Sequence, residues 1–278
     1  MYFKKLIFFS CTFFLILQSI THANDLHFFI LEKILPNSPR IKAFEWHGKK
    51  YWLKKSTLHK FYYLEWLGRE IGALTIPITF LKPTPYRTKS PLDIEKGRLL
   101  QCEQLNIKCP RLVEYDKDWL ITTDEGVSSE DFIRRLPANQ KYEFVLKLLR
   151  TILDNQKKGF YHGRYYLRDM LISSKGEISV FDFEENPLYI MNLEEAKARE
   201  IFHFIVSVST VLNKAEMQKL GACLNKNLEK KTKKLLLIFK DYKKMLTFFD
   251  FIKPYLGRDF VRFLDATFFI IRNLDLCK

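Results

Sequence analysis

Apolar and polar positions alternate at two different periods along the chain. Ile41–Trp46 and Lys50–Lys54 flank His47-Gly48-Lys49, and this aromatic-rich pair around a glycine turn predicts a β-hairpin. Arg111–Tyr115 and Trp119–Thr122 predict another around Asp116-Lys117-Asp118. Between them, Asp93 to Leu105 has helical spacing, with Ile94, Leu99, Leu100 and Leu105 assigned to a core face. Residues 57–80 are bulky and apolar with scattered charge and predict a further helix, closed by the break Lys82-Pro83-Thr84-Pro85. Pro137 opens a long helix running to about Gln156, where Phe144, Val145, Leu148, Leu149 and Ile152 recur near the helical period and Gly159 follows the end. Ser173 to Glu177 turns between two short strands, Met170–Ile172 and Ile178–Phe183. From Leu193 onward the pattern is helical. The layout is α+β, with a strand-rich first half and a helix-rich second half joined near 123–128.

The first residues differ in texture. Lys4 and Lys5 precede an apolar run from Leu6 to Leu17, and Thr21-His22-Ala23 resembles a cleavage end, so residues 1–23 read as a signal peptide or membrane-associated helix. The competing reading is a buried helix of a soluble protein. The remainder divides into 24–123 and 124–278.

Composition narrows the class without naming a function. The 278 residues are 47% hydrophobic and 28% charged, which permits a sizeable core and excludes global disorder. Forty-six Lys and Arg face thirty-two Asp and Glu, a net charge of +14 that favours anionic partners. A codon bias toward Lys, Phe and Ile would give the same excess. The five cysteines form no Cys-x-x-Cys pair, which argues against a disulfide framework or a zinc site; without Cys11 the remaining four permit two bridges but do not require them.

The chemistry-bearing residues fall in a definite order. Lys54 lies late in a strand, where an ammonium could meet phosphate, and Glu95 lies early in the following helix, where it could pair with Lys54. Asp169 stands at the start of one short strand and Asp182 near the end of the next. A hairpin would bring both carboxylates to one open end, able to share a divalent ion. Read singly, these are solvated or locally paired charges, with Asp182 matched to Arg164 or Arg168, and His162 is a packing histidine.

Taken together, Tyr161-His162-Gly163-Arg164-Tyr165-Tyr166-Leu167-Arg168-Asp169-Met170-Leu171-Ile172 and Val180-Phe181-Asp182-Phe183-Glu184 resemble the catalytic loop and metal-binding segment of the protein-kinase-like superfamily. The lipopolysaccharide-kinase branch and related small atypical kinases are the most similar. The resemblance covers about residues 41–210 and implies a two-lobed fold, β-rich N-lobe and mainly helical C-lobe, with ATP and Mg2+ in the cleft. It implies that Lys54 pairs phosphate with Glu95 as its partner, that Asp124 to Gly126 follow the hinge, and that His162 orients the loop. Asp169 and Asp182 would hold magnesium.

Three positions depart from that pattern. The expected catalytic aspartate is Arg164, the metal-binding asparagine is Asp169, and the triplet glycine is Glu184; no glycine-rich loop precedes Ile41. An arginine stabilises phosphoryl oxygens but cannot accept a hydroxyl proton, leaving Asp169 or Glu184 to do so. Two functions therefore stand. One is transfer of phosphate from ATP to a sugar or lipid-linked hydroxyl of the bacterial envelope. The other is a non-catalytic nucleotide- or partner-binding protein. An exported helical envelope protein is a third, unrelated reading.

Between Lys226 and Lys244 eight lysines surround the run Leu235 to Phe239. Such a segment is either a basic amphipathic helix for an anionic lipid or lipopolysaccharide surface, or a packed helix with a solvated lysine face. Nucleic acid is disfavoured, since no zinc-finger spacing or aromatic-basic sheet motif is present. Catalysis with ATP would place the chain at the cytoplasmic face of the inner membrane, whereas a cleaved leader would export it.

Overall fold

The computed structural model describes residues 25–56, 67, 71, 74, 77–84 and 91–275. The leader at 1–23 and most of the helix expected over 57–80 lie outside the described residues. The fold is α+β, and its chain contacts divide into two units: Met1–Thr57 with Leu112–Asp124, and Leu58–Arg111 with Glu125–Lys278. The described residues between 58 and 111 group with the second unit in this division.

In the first unit, β1 (Ile41–Trp46), β2 (Lys49–Lys55), β3 (Leu112–Asp116) and β4 (Trp119–Thr123) form an antiparallel sheet ordered β1-β2-β4-β3. Both expected hairpins are present. His47 and Gly48 have positive φ, 48° and 70°, which lets two residues reverse the chain. A helical segment ending in the π-turn Ile30–Ile34 packs on the sheet. Leu26, Ile30 and Ile34 are four apart, so they share one face and meet Phe44, Leu53, Trp119 and Ile121. Asp124 closes the unit by accepting from Trp52 Nε1 at 2.5 Å, with Lys50 Nζ at 3.2 Å.

The second unit contains a small antiparallel sheet ordered β5-β6-β7 (Val127–Ser128, Met170–Ile172, Ile178–Val180) and eight α-helices among the described residues. Helix α1 (Pro91–Gln104) covers the sequence expectation, but Leu100 is exposed, and the buried face carries Leu92, Glu95, Arg98, Leu99 and Cys102. Spacings of three and four place these five together and turn Leu100 away. Cys102 forms a disulfide with Cys109, a bridge the cysteine spacing did not indicate, while Cys223 is free.

Helices α2 (Ser129–Arg135) and α3 (Ala138–Lys157) follow. Pro137 is the N-cap of α3, and Val145, Leu148, Leu149 and Ile152 are its buried stripe. Helices α4 (Leu193–Val208) and α5 (Lys214–Asn227) each begin with a capping box, Asn192 with Glu195 and Asn213 with Glu216. Helix α4 is buried around most of its circumference, Arg199 and Glu200 included, and forms the spine of the unit. The lysine-rich segment is not one helix: α6 (Lys230–Leu236), a 3-10 turn (Leu237–Lys240) and α7 (Lys243–Phe251) break it. Its apolar run points inward, with Phe239 packed on Phe202 and Phe80 at 5.3 and 5.7 Å between ring centroids. Helix α8 (Arg258–Asn273) closes the chain. No helix among the described residues is long and apolar enough to cross a membrane.

Candidate functional site

The site is built where β6 begins and β7 ends. Met170 pairs with Val180, and the Phe181 amide donates to the Asp169 carbonyl at 3.1 Å, so Asp169 and Asp182 stand at the same end of the hairpin. Asp182 has φ +67°, a left-handed conformation that aspartate tolerates better than bulkier residues. The strand expected to run on to Phe183 stops at Val180 because the chain turns here.

The loop from Phe160 to Asp169 supplies the opposing residues. His162 is buried between Tyr165 and Phe183, each at 4.9 Å, and its Nε2 contacts the Phe181 carbonyl at 2.7 Å. A carbonyl only accepts, so Nε2 carries the proton and the ring is neutral; burial lowers its pKa to about 4 despite that hydrogen bond. The histidine ties the loop to the strand end. Gly163 is held from both sides by α4. Its amide donates to Glu200 Oε1 at 3.0 Å, and its carbonyl accepts from Arg199 Nε at 2.6 Å. Arg199 also donates to Glu185 Oε2 at 2.7 Å and to the Lys82 carbonyl at 2.5 Å.

This clamp fixes Arg164 among four carboxylates. Its guanidinium lies 3.3 Å from Asp182 Oδ2, 3.8 Å from Asp169 Oδ2, 3.9 Å from Glu184 Oε2 and 3.8 Å from Glu185 Oε1. Burial pulls the guanidinium pKa down, but Glu185, Asp169, Asp182 and Glu184 outweigh it and hold the group more firmly protonated than usual. For Asp169 the balance is reversed. Burial raises its pKa to about 7, more than Arg164 can offset, and Asp182 pushes the same way. The geometry explains this: Oδ2 of Asp169 is buried with no hydrogen-bond partner, and its ion pair with Arg164 is long. Glu200 is also raised to about 7 by burial, against hydrogen bonds from Gln156 and Gly163.

Of the residues singled out from the sequence, Arg164, Asp169, Asp182 and Glu184 come together, with His162 behind them. Lys54 sits in β2 of the first unit between Ile41 and Leu120, and is buried. Glu95 is buried on α1 of the second unit. Sequence reasoning missed Glu185, Arg199 and Glu200. The one signal was that Arg199-Glu200 leads directly into the mostly apolar run Ile201 to Val206 of α4, where buried charges require partners.

Magnesium, which the kinase resemblance implies, requires several oxygens converging on one point. Here the carboxylates are spread around a guanidinium, and no group of three His, Cys, Asp or Glu among the described residues is placed to hold a metal. With Arg164 in position the donor set does not fit a divalent ion. The arrangement can neutralise carboxylates with a fixed cation and keep a proton on Asp169 near neutrality. No protein-family profile matches the chain. A Haemophilus influenzae protein described as an uncharacterized protein is 26% identical over 147 residues, 52% of this chain. The match spans 53% of that relative's own length.

Proposed function

We propose that the chain is a kinase-like binding protein of the bacterial envelope that works without a divalent metal, with the guanidinium of Arg164 neutralising the carboxylates that would otherwise hold one. The observation that carries this reading is the contact of Arg164 with Asp169, Asp182, Glu184 and Glu185. A β-sheet unit and a helical unit are the parts such an architecture requires. The Cys102–Cys109 disulfide fits an oxidising compartment, in line with a leader at residues 1–23. Its ligands would be anionic: a nucleotide, or a lipid or lipopolysaccharide surface. The test is ATP titration with and without Mg2+, followed by a turnover assay. Binding indifferent to Mg2+, with no turnover above an Asp182→Ala control, is expected. Magnesium-dependent turnover that is lost in Asp182→Ala would overturn the proposal.

A second reading is supported by Asp169, whose carboxyl exchanges its proton near pH 7 beside Asp182. In it the chain transfers phosphate from ATP to a sugar or lipid-linked hydroxyl, with Asp169 taking the hydroxyl proton. That reading requires ATP binding to fall in both Lys54→Ala and Asp182→Ala.

A further inference from the structure

Helix α7 and the turn after it carry aromatic rings that the fold leaves in solvent. Phe248 is 60% exposed, Phe251 83% and Tyr255 90%, with Met245 at 49%. The inward face of the same helix is satisfied: Leu246 is buried and Phe249 packs on Phe260 at 5.3 Å. The exposed residues therefore follow from helical geometry, and Phe248, which meets the neighbouring Phe249 ring at 5.8 Å, still leaves most of its surface in solvent. Lys244, Phe248 and Phe251 are spaced four and three apart, so one stripe of α7 presents a cation followed by two rings.

The surrounding charge says what such a stripe suits. Lys253 is committed to Asp250 and Asp265. Lys243, Lys244 and Arg258 form no ion pair among the described residues and flank the rings in sequence, with the exposed Asp241 and Asp259 beside them. Rings this exposed protrude from the surface and do not line a groove. Protruding aromatics beside unpaired lysines match the boundary of an anionic bilayer, where rings enter the acyl edge and ammonium groups meet headgroup phosphates.

We infer that α7 and the segment through Tyr255 form a peripheral membrane-binding face that inserts Phe248, Phe251 and Tyr255 into an anionic phospholipid surface. This stands independently of the chemistry around Arg164. It also relocates lipid contact from the lysine-flanked run Leu235 to Phe239, whose apolar residues turn inward.

The test is made in the full chain with a reporter local to the face, because residues 1–23 could bind lipid on their own. Phe251→Trp is mixed with vesicles of phosphatidylcholine alone or with phosphatidylglycerol, plain or brominated. With phosphatidylglycerol vesicles the added emission should shift to the blue and be quenched by the brominated lipid. Adding Lys243→Glu and Lys244→Glu should weaken the vesicle-dependent signal by about tenfold or more. Leu100→Ser, which removes an exposed apolar residue elsewhere, should leave it unchanged. An indole that stays water-exposed with phosphatidylglycerol vesicles would overturn the inference. So would a blue shift that needs no lipid and grows with protein concentration, since the face would then pair with a second copy of the chain.

Discussion

Arg164 approaches Asp182 Oδ2 to 3.3 Å with the same guanidinium whose Nε lies 3.8 Å from Asp169 Oδ2. One fixed cation thus occupies the ground between the two carboxylates best placed to share a metal. In Arg164→Ala those groups, with Glu184 and Glu185, would lose the cation they share, although Glu185 keeps Arg199 and Asp169 keeps Arg168. The variant should lose about 3 kcal/mol of stability at neutral pH. It should also show a melting temperature that rises with added Mn2+ or Mg2+ more than the parent's does. Arg164→Lys, which keeps the charge but loses the fork, should fall between the two. Thermal melts with and without metal decide this. An Arg164→Ala protein as stable as the parent would show that the cluster needs no counter-ion.

Four buried groups near this cluster titrate with opposite sign. Asp169 and Glu200 keep their protons up to about 7 in the folded chain but release them near 3.8 and 4.5 when unfolded. Across that interval the folded state binds more protons, so their contribution to stability falls as pH rises. His162 and His203 are lowered to about 4 and about 3 from 6.5, mainly by burial, so theirs falls as pH drops. Between 4.5 and 6.5 the two pairs nearly cancel and these groups leave stability level. Asp169→Asn removes one member, and stability should then climb with pH by up to about 1.4 kcal/mol per unit. Denaturant unfolding across that range measures the slope. A profile superimposable on the parent's would mean that Asp169 does not carry a proton in the fold.

Much of this arrangement is legible in the chain, for identifiable reasons. The hairpin of β6 and β7 follows from two short apolar runs around Ser173 to Glu177, and it alone places Asp169 and Asp182 at one end. The pairing of Asp182 with Arg164 was among the local alternatives the sequence offered. Periodicity could not show that Arg199 and Glu200 of α4 clamp Gly163, because a helix buried on most of its sides gives no sign of which loop each charged residue meets. The broken lysine-rich segment was hidden for a similar reason. Leu235 to Phe239 looks like the apolar face of one long helix, yet Phe239 is committed to Phe202 and Phe80, which are far from it in sequence.

Two glycines should respond oppositely to the same substitution. Gly126 has φ +110°, and a Cβ there would lie 2.1 Å from the Ile172 carbonyl oxygen, which is rigid backbone of the sheet. Gly126→Ala should cost roughly 3 kcal/mol or more by separating β5 from β6. Gly97 is exposed within α1 and an added Cβ meets nothing within 4 Å. Gly97→Ala should stabilise by about 0.5–1 kcal/mol. Chemical denaturation of both variants checks the pair, and equal effects would contradict the backbone described at residue 126.

The disulfide holds a loop that serves the site indirectly. Cys102 lies on the buried face of α1, and Cys109 ends the segment whose Lys108 carbonyl accepts from the Val180 amide at 2.9 Å. Opening the bridge frees this segment, and with it the end of the strand that leads into Asp182. Cys102→Ser with Cys109→Ser should lower stability by about 2 kcal/mol, and reductant should lower the parent's melting temperature but not the variant's. Protein extracted under alkylating conditions should show Cys223 modified while Cys102 and Cys109 stay protected until reduction. A parent whose melting temperature ignores reductant, with both cysteines alkylated on extraction, would show that the chain works in a reducing compartment and would remove the main structural support for export.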